Sequence, residues 1–241
     1  MIYPLINPYP LKDCHSDFEK KQAEQGIRKL RPLQAADTPH DIAELVELNP
    51  YNNLSSVLND KLEESTAYQE AKKIAPPPKN APQITKYQKD HKKVNLTAVD
   101  KEIHHLGHQL AEGQHIFHGG IWPPDNGIPT IGSHIILDRP LSTSFHPSVA
   151  SNHSAKHSKK ITEKCYQYDE MTQGDFKENN DQLGQESIWI IQTKAPIPAI
   201  IYGDHSEPKQ EKEALIASGY KLTCKDVKKV GDILLISVDM E

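Results

Sequence analysis

EPKQEKEALI, residues 207–216, turns apolar at Ala214 directly after two glutamates spaced two apart, Glu211 and Glu213. In a β-strand, side chains at i and i+2 share a face. A strand here would put Glu211, Glu213 and Leu215 in line, with the carboxylates where a core face meets a rim. The plain alternative is a solvated strand start. The neighbouring segments decide between them.

Outward from this stretch, the second half of the chain is a series of short β-rich runs separated by Gly, Pro, Asn and Asp. QHIFHGG (114–120) is one, with a strand ending at His118, and HIILDRPLSTSF (134–145) reads as two with a turn at Asp138–Pro140. SIWIIQTKA (187–195), PAIIYG (198–203), EALIAS (213–218), YKLTCKDV (220–227) and DILLISVDM (232–240) follow. The polar stretch from Ser148 to Gln185 reads as loop with one short strand near Tyr166.

The first half has a helical texture. After an irregular Pro- and Tyr-rich arm over residues 1–20, apolar residues recur at helical spacing from Asp17 to Leu30 and from Thr38 to Leu48. Asp37 or Thr38 can cap the second helix, with Pro39 in its first turn. NLSSVLNDKLEESTAYQEAKK (53–73) reads as one helix with Leu54, Val57, Leu58 and Leu62 on a stripe. IAPPPKNAPQ (74–83) is a linker or rigid surface crossing. LTAVDKEIHHLGHQLAEG (96–113) resumes a helix that carries Leu96, Val99, Ile103, Leu106 and Leu110 inward and ends at Gly113. The expected fold class is α+β, a helical N-terminal region packed on a split, mostly antiparallel β core. Residues 1–83 form the helical region and 84–241 the core.

The 241 residues are 36% hydrophobic, enough for a core, while 18 prolines and a mean hydropathy of -0.66 imply long polar connections. A net charge of -5 with both signs mixed along the chain offers no basic surface for nucleic acid. Cys14, Cys165 and Cys224 are odd in number and far apart, so reduced thiols are expected rather than a disulfide framework. No apolar run approaches the roughly 20 residues of a membrane span, and the start lacks the pattern of a secretory signal. A soluble protein follows, with export by a route that uses no cleaved signal.

Three polar stretches sit on these strands in a fixed order: His118-Gly119, then Ser142-Thr143-Ser144, then Glu211-Lys212-Glu213. On a strand Ser142 and Ser144 share a face. Each alone is commonplace, since a polar residue at a strand end is usually solvated rim. Together, and in this order, the stretches resemble the mono-ADP-ribosyltransferase superfamily. In that family one strand ends in Arg-Gly or His-Gly, a second carries Ser-Thr-Ser, and a later one opens with Glu-x-Glu before an apolar run. The resemblance covers about residues 84–240, and residues 1–80 match no family. One position departs from the pattern. Members with Ser-Thr-Ser usually carry Arg where this chain has His118, and His-Gly is typical of the poly-ADP-ribosylating and diphtheria-like branch.

The resemblance implies NAD as co-substrate and a role for each residue. Glu213 stabilises the cation that forms at the ribose when nicotinamide leaves, Ser142 holds Glu213, and Glu211 orients or deprotonates the acceptor. His118, Gly119, Ser142, Thr143, Ser144 and Phe145 are the expected NAD-binding set. Gly119 would leave its backbone open to the nicotinamide amide. Neutral His118 can hydrogen-bond a ribose hydroxyl, but it lacks the bidentate fork of Arg. Phosphate contacts then fall to Arg139 or to Lys156, Lys159 and Lys160. Trp122 and Phe145 either stack on nicotinamide or pack in the core. The loop from Tyr202 to Gln210 would touch a protein substrate.

The implied activity is protein mono-ADP-ribosylation by a bacterial effector or toxin, delivered into a target cell's cytoplasm. It would modify an arginine or a threonine, with ubiquitin among the candidate partners. The helical N-terminal region would help select that partner. Water as acceptor would make the chain an NAD glycohydrolase, and a degenerate site would leave a binding module. His104 and His108, at i and i+4, raise a metal site as a last alternative. His105, however, stands where a zincin has its glutamate, and no third ligand is evident.

Overall fold

The computed structural model describes residues 1–49, 53–90, 93–123, 128–161, 185–202 and 212–241, with side chains of 155–161 left out. In chain order the described elements begin with β1 (Leu11–Lys12), α1 (Asp17–Glu24), β2 (Ala35–Ala36), α2 (Pro39–Leu48), α3 (Leu54–Glu64) and α4 (Thr66–Lys73). A 3-10 turn (Pro78–Asn80) leads to α5 (Pro82–Lys89) and α6 (Leu96–Leu106). Next come β3 (His108–Leu110), β4 (His115–Ile121), β5 (His134–Ile136), β6 (Leu141–Ser144) and α7 (Pro147–Ile161). The chain closes with β7 (Glu186–Thr193), β8 (Ile197–Ile201), β9 (Glu213–Ile216), β10 (Lys221–Val230) and β11 (Ile233–Met240).

Nine of these strands form one mixed sheet in the order β3-β8-β9-β6-β4-β7-β11-β10-β5. All described pairings in it are antiparallel except β11 with β7. The sheet is split. β6 meets β4 at a single residue pair, Phe117 with Ser144, whereas β4 pairs with β7 over seven residues. Helices plus a split, mostly antiparallel sheet make this an α+β fold, as the sequence implied.

Two apolar clusters hold the layers. The larger runs from Tyr3, Leu11, Leu58 and Leu62 through Phe117, Trp189 and Ile216 to Met240, so the N-terminal helices and the sheet share one core. The smaller packs Ala81 and Ile84 of the α5 region and Val99 and Ile103 of α6 against Ile200, Leu215 and Ala217. β9 thus lies between both, with Ala214 and Ile216 in the first cluster and Leu215 in the second. That is the period-2 alternation expected of a strand buried on both faces.

Several boundaries differ from the sequence reading, each for a local reason. α2 starts as expected, with Thr38 and Asp41 completing a reciprocal capping box. The helix expected over 53–73 is two, because Ser65 takes an extended conformation and caps α4 by accepting from the Tyr68 N–H. The first helix ends at Glu24 rather than near Leu30. α6 stops at Leu106, not Gly113: at Gly107 a Cβ would lie 2.3 Å from the Ile103 carbonyl oxygen and 2.7 Å from that of Ala199. The chain instead turns into β3, which pairs with β8, and Leu110 is buried from a strand. β4 continues past His118 to Ile121. The supposed loop after Ser148 begins as α7, which packs on β4 and β7. The strand expected near Tyr166 lies outside the described residues. The Pro-rich linker proves short, with α5 starting at Pro82.

The arm at the start of the chain is fixed by backbone pairing. Ile6 exchanges hydrogen bonds with the buried Gln114 side chain, donating to Oε1 at 2.9 Å and accepting from Nε2 at 2.9 Å. Tyr3 is 1% exposed, and its hydroxyl accepts from the Ile201 N–H at 3.3 Å. No described helix is long and apolar enough to cross a membrane.

His146, between β6 and α7, supplies a pH dependence. It is 8% exposed; its Nδ1 accepts from the Ser148 N–H at 3.2 Å and its Nε2 donates to the Ser55 carbonyl at 3.0 Å. That pattern requires a neutral ring, and burial holds its pKa below the ordinary value, partly offset by the Ser55 bond. In the unfolded chain a histidine titrates near ~6.5. Below that pH the unfolded state binds a proton that the native state refuses. Stability is therefore full above about 6.5 and falls as pH drops toward the native pKa. Denaturation midpoints should decline from pH 7.5 to 5.5, and His146→Gln, though less stable throughout, should decline less steeply. Parallel profiles would remove His146 from the account.

Candidate active site

The split between β4 and β6 is where the predicted residues meet. Glu213 opens β9 and stands opposite Ser144, with Ser142 two positions along the neighbouring strand. Diagonal neighbours on one face of an antiparallel pair are within side-chain reach. The Ser142 hydroxyl accordingly donates to Glu213 Oε1 at 2.5 Å. A charge-assisted bond of this kind is among the stronger hydrogen bonds and orients the carboxylate.

His118 closes the other side of the split. Its Nδ1 lies 2.7 Å from the Ser142 carbonyl oxygen, which can only accept, so Nδ1 carries the proton. In the neutral ring Nε2 is then an acceptor. The imidazole rests on Trp189, its cross-strand partner, at 4.6 Å between centroids, and Trp189 meets Trp122 edge-on at 5.1 Å. Trp189 Nε1 donates to Ser187 Oγ at 3.0 Å, and that hydroxyl donates to the Gly120 carbonyl at 2.6 Å. This stack presets the histidine.

The two glycines beside it do different work. A Cβ at Gly119 would fall 1.7 Å from the Ala150 carbonyl oxygen, because α7 lies directly on the strand there. A Cβ at Gly120 would meet only the His118 ring, at 3.3 Å from Nε2. The face of Gly120 is therefore the one His118 shares, and that of Gly119 is packing surface.

The remaining predicted residues are placed as follows. Thr143 points away from Ser142, is buried, and donates to the Ala214 carbonyl at 2.7 Å. Ser144 is buried, and its oxygen accepts from the His146 N–H at 2.9 Å. Phe145 is buried against Tyr68, at 5.8 Å between ring centroids. Trp122 is fully buried, with Nε1 donating to Ser133 Oγ at 3.0 Å, so it packs in the core. Arg139 pairs with Asp138 at 3.2 Å. Glu211, the loop residues 203–210 and the side chains of Lys156, Lys159 and Lys160 lie outside the described residues. His108 sits on β3 against Tyr3, away from His104 on α6, which dissolves the helical i, i+4 pair. Among the described residues no cluster of three or more His, Cys, Asp or Glu is placed to hold a metal.

Two contributors were invisible in the motifs. Tyr87 comes from α5, and its phenol is pushed up to about 12, first by burial and then by the negative charge of Glu213, with Arg139 opposing. It stays protonated at neutral pH, a hydrogen-bond donor beside a carboxylate. Lys212 precedes Glu213 with a left-handed backbone, φ 47°, which is uncommon for a residue with a side chain. β9 begins at Glu213.

The acceptors at the site suit a hydroxyl-bearing ligand. β4 beyond Phe117 has no described pairing to β6, which leaves strand backbone facing the slot between His118 and Glu213. Planar amides pair with such an edge. An imidazole acceptor and a fixed carboxylate suit ribose hydroxyls.

No family model matches the chain, and no curated protein does. Solved structures do. Vis, an ADP-ribosyltransferase toxin of Vibrio splendidus solved with an inhibitor, is 12% identical, with 82% of this chain and 89% of that one covered and a TM-score of 0.51. The C3 exoenzyme of Clostridium limosum is 12% identical over 75% of this chain and 94% of its own, at a TM-score of 0.48. Exoenzyme S of Pseudomonas aeruginosa is 14% identical over 77% and 88%, at 0.44. The likeness to Vis carries the conclusion. The chain has the ADP-ribosyltransferase fold.

Proposed function

We propose that the chain is an NAD-dependent protein mono-ADP-ribosyltransferase. The observation that carries this reading is the Ser142–Glu213 hydrogen bond of 2.5 Å facing His118 across a split in a sheet of this fold. In the proposed reaction the bond between nicotinamide nitrogen and ribose C1′ breaks, and its electron pair leaves with nicotinamide. Positive charge builds on C1′. The Glu213 carboxylate, held by Ser142, stabilises that charge through the neighbouring 2′-hydroxyl, a preorganised contribution that costs no reorganisation at the moment of reaction. His118 Nε2 accepts from a ribose hydroxyl, and the open edge of β4 pairs with the nicotinamide amide. Arg139 or the lysines Lys156, Lys159 and Lys160 would meet the diphosphate.

A protein side chain, arginine or threonine, forms the new bond to C1′ through its nitrogen or oxygen, and Glu211 orients it or takes the proton it gives up. The helical region of residues 1–83 selects the partner, a protein such as ubiquitin in a target cell, as an effector or toxin would. Incubation of the protein with labelled NAD and a cell lysate tests the reading. A single labelled band is expected; free ADP-ribose without labelled protein would point to NAD glycohydrolysis instead. Glu211→Gln should lower protein labelling about 100- to 10,000-fold, the range of a lost general base, while slow nicotinamide release to water persists. Equal loss of both activities would remove Glu211 from the acceptor side.

A further inference from the structure

Lys212, the residue between the two glutamates, is anchored as few surface lysines are. Its side chain is 7% exposed, and its ammonium forms an ion pair with Glu63 of α3. The other carboxylate oxygen of Glu63 takes Lys72 of α4 at 3.0 Å, and Lys72 is 10% exposed. Gln69 Nε2 donates to the Glu63 carbonyl at 2.7 Å and to its carboxylate at 3.1 Å. Tyr68 lies beneath both ammoniums, 5.2 Å from Lys72 and 5.8 Å from Lys212 at the ring centroid. The ring edge of Tyr68 meets Phe145, whose N–H donates to the Lys212 carbonyl at 3.0 Å.

Both ends of Lys212 are therefore held while its backbone sits in the left-handed region. A conformation of that kind persists only where the surroundings over-determine it. The next residue is Glu213. One carboxylate is shared by two ammoniums, and removing it would take from the buried Lys212 its ion-pair partner.

We propose that Glu63 is a positioning residue: by holding Lys212 in its left-handed turn, it sets where the Glu213 carboxylate enters the site. The proposal rests on the transferase reading above. It makes the helical region part of the catalytic apparatus through one ion pair, although Glu63 is separated from Glu213 by 150 positions of sequence.

Glu63→Gln keeps the shape and removes the charge, and Lys212→Met breaks the same pair from the other side where the first variant does not fold. Each should lower kcat for nicotinamide release at least about 10-fold with KM for NAD changed less than about 2-fold. The double variant should lose no more than either single one, the signature of a shared interaction. Lys212→Arg, which keeps a cation, should retain most activity. Amide hydrogen exchange should rise at least about 10-fold in residues 213–216 of Glu63→Gln, with β7 and β11 unaffected. Wild-type kcat in both single variants, or exchange that rises equally throughout the sheet, would overturn the proposal. A wild-type protein that releases no nicotinamide would defeat the transferase reading. The exchange pattern alone would then decide the role of Glu63: local acceleration upholds the anchor, and an unchanged segment overturns it.

Discussion

Glu213→Gln is expected to lower nicotinamide release about 100- to 1,000-fold, the loss typical when a preorganised electrostatic contact to a transition state is removed. Glutamine is close in shape and still offers Ser142 an oxygen to bond, so the local structure stays. What goes is the negative charge that the developing cation uses and the ground state does not. The loss should appear in kcat rather than in KM for NAD, and in hydrolysis and protein transfer alike. The unfolding midpoint should barely move, because Glu213 is half-buried at a rim rather than central to either apolar cluster. Nicotinamide released by this variant at the wild-type rate would leave the Ser142–Glu213 pair as a structural hydrogen bond and end the transferase reading.

Gly119→Ala is expected to destabilise the fold by about 3 kcal/mol or more, the upper range for overpacking against parts that cannot yield. The added Cβ would fall on backbone, 1.7 Å from the Ala150 oxygen and 2.9 Å from the Ser154 nitrogen, and α7 would have to lift from β4. For a chain of this size that corresponds to a melting temperature lower by roughly 6–12 °C. The adjacent Gly120→Ala is the control. Its Cβ meets only a side-chain ring, so it should disturb His118 and NAD binding while leaving the melting temperature nearly intact. Comparable melting temperatures for both variants would mean that α7 is not seated as described.

These two glycines show how far the sequence could be read. His118-Gly119, Ser142 and Glu213 were singled out by the resemblance of three short motifs, and the structure brings His118, Ser142 and Glu213 together. The reason for Gly119 was not legible. Its smallness reads as room for a ligand until a helix is found lying on it, and that helix sits in a stretch of Ser, Asn, His and Lys that reads as loop. Likewise Leu110 keeps helical spacing with Ile103 and Leu106, yet tertiary pairing with β8 takes it into a strand. Tyr87 and Glu63 could not be found at all from motifs. Tyr87 feels the charge of Glu213 and Glu63 pairs with Lys212, both from helices distant in sequence and by no local pattern. Phe145 was ambiguous between ligand and core, and its contact with Tyr68 could only come from three dimensions.

The order of strands also bears on how the molecule is made. β11, the latest-synthesised described strand, is not trim on an edge: it lies between β7 and β10, where it supplies the parallel pairing with β7. Both rims of the sheet are instead three-residue strands, β3 and β5, too short to recruit a stray chain. Until residues 233–240 leave the ribosome, β10 and β5 have no neighbour joining them to the rest, and β7 has one side bare. From the completion of β7 at Thr193 until β11 begins at Ile233, the growing chain therefore carries an unpaired strand edge in the middle of its sheet. Such late, long-range closure is slow and prone to association. Loss of residues 233–240 would therefore open the sheet in its middle, whereas loss of β3 or β5 would only narrow a rim.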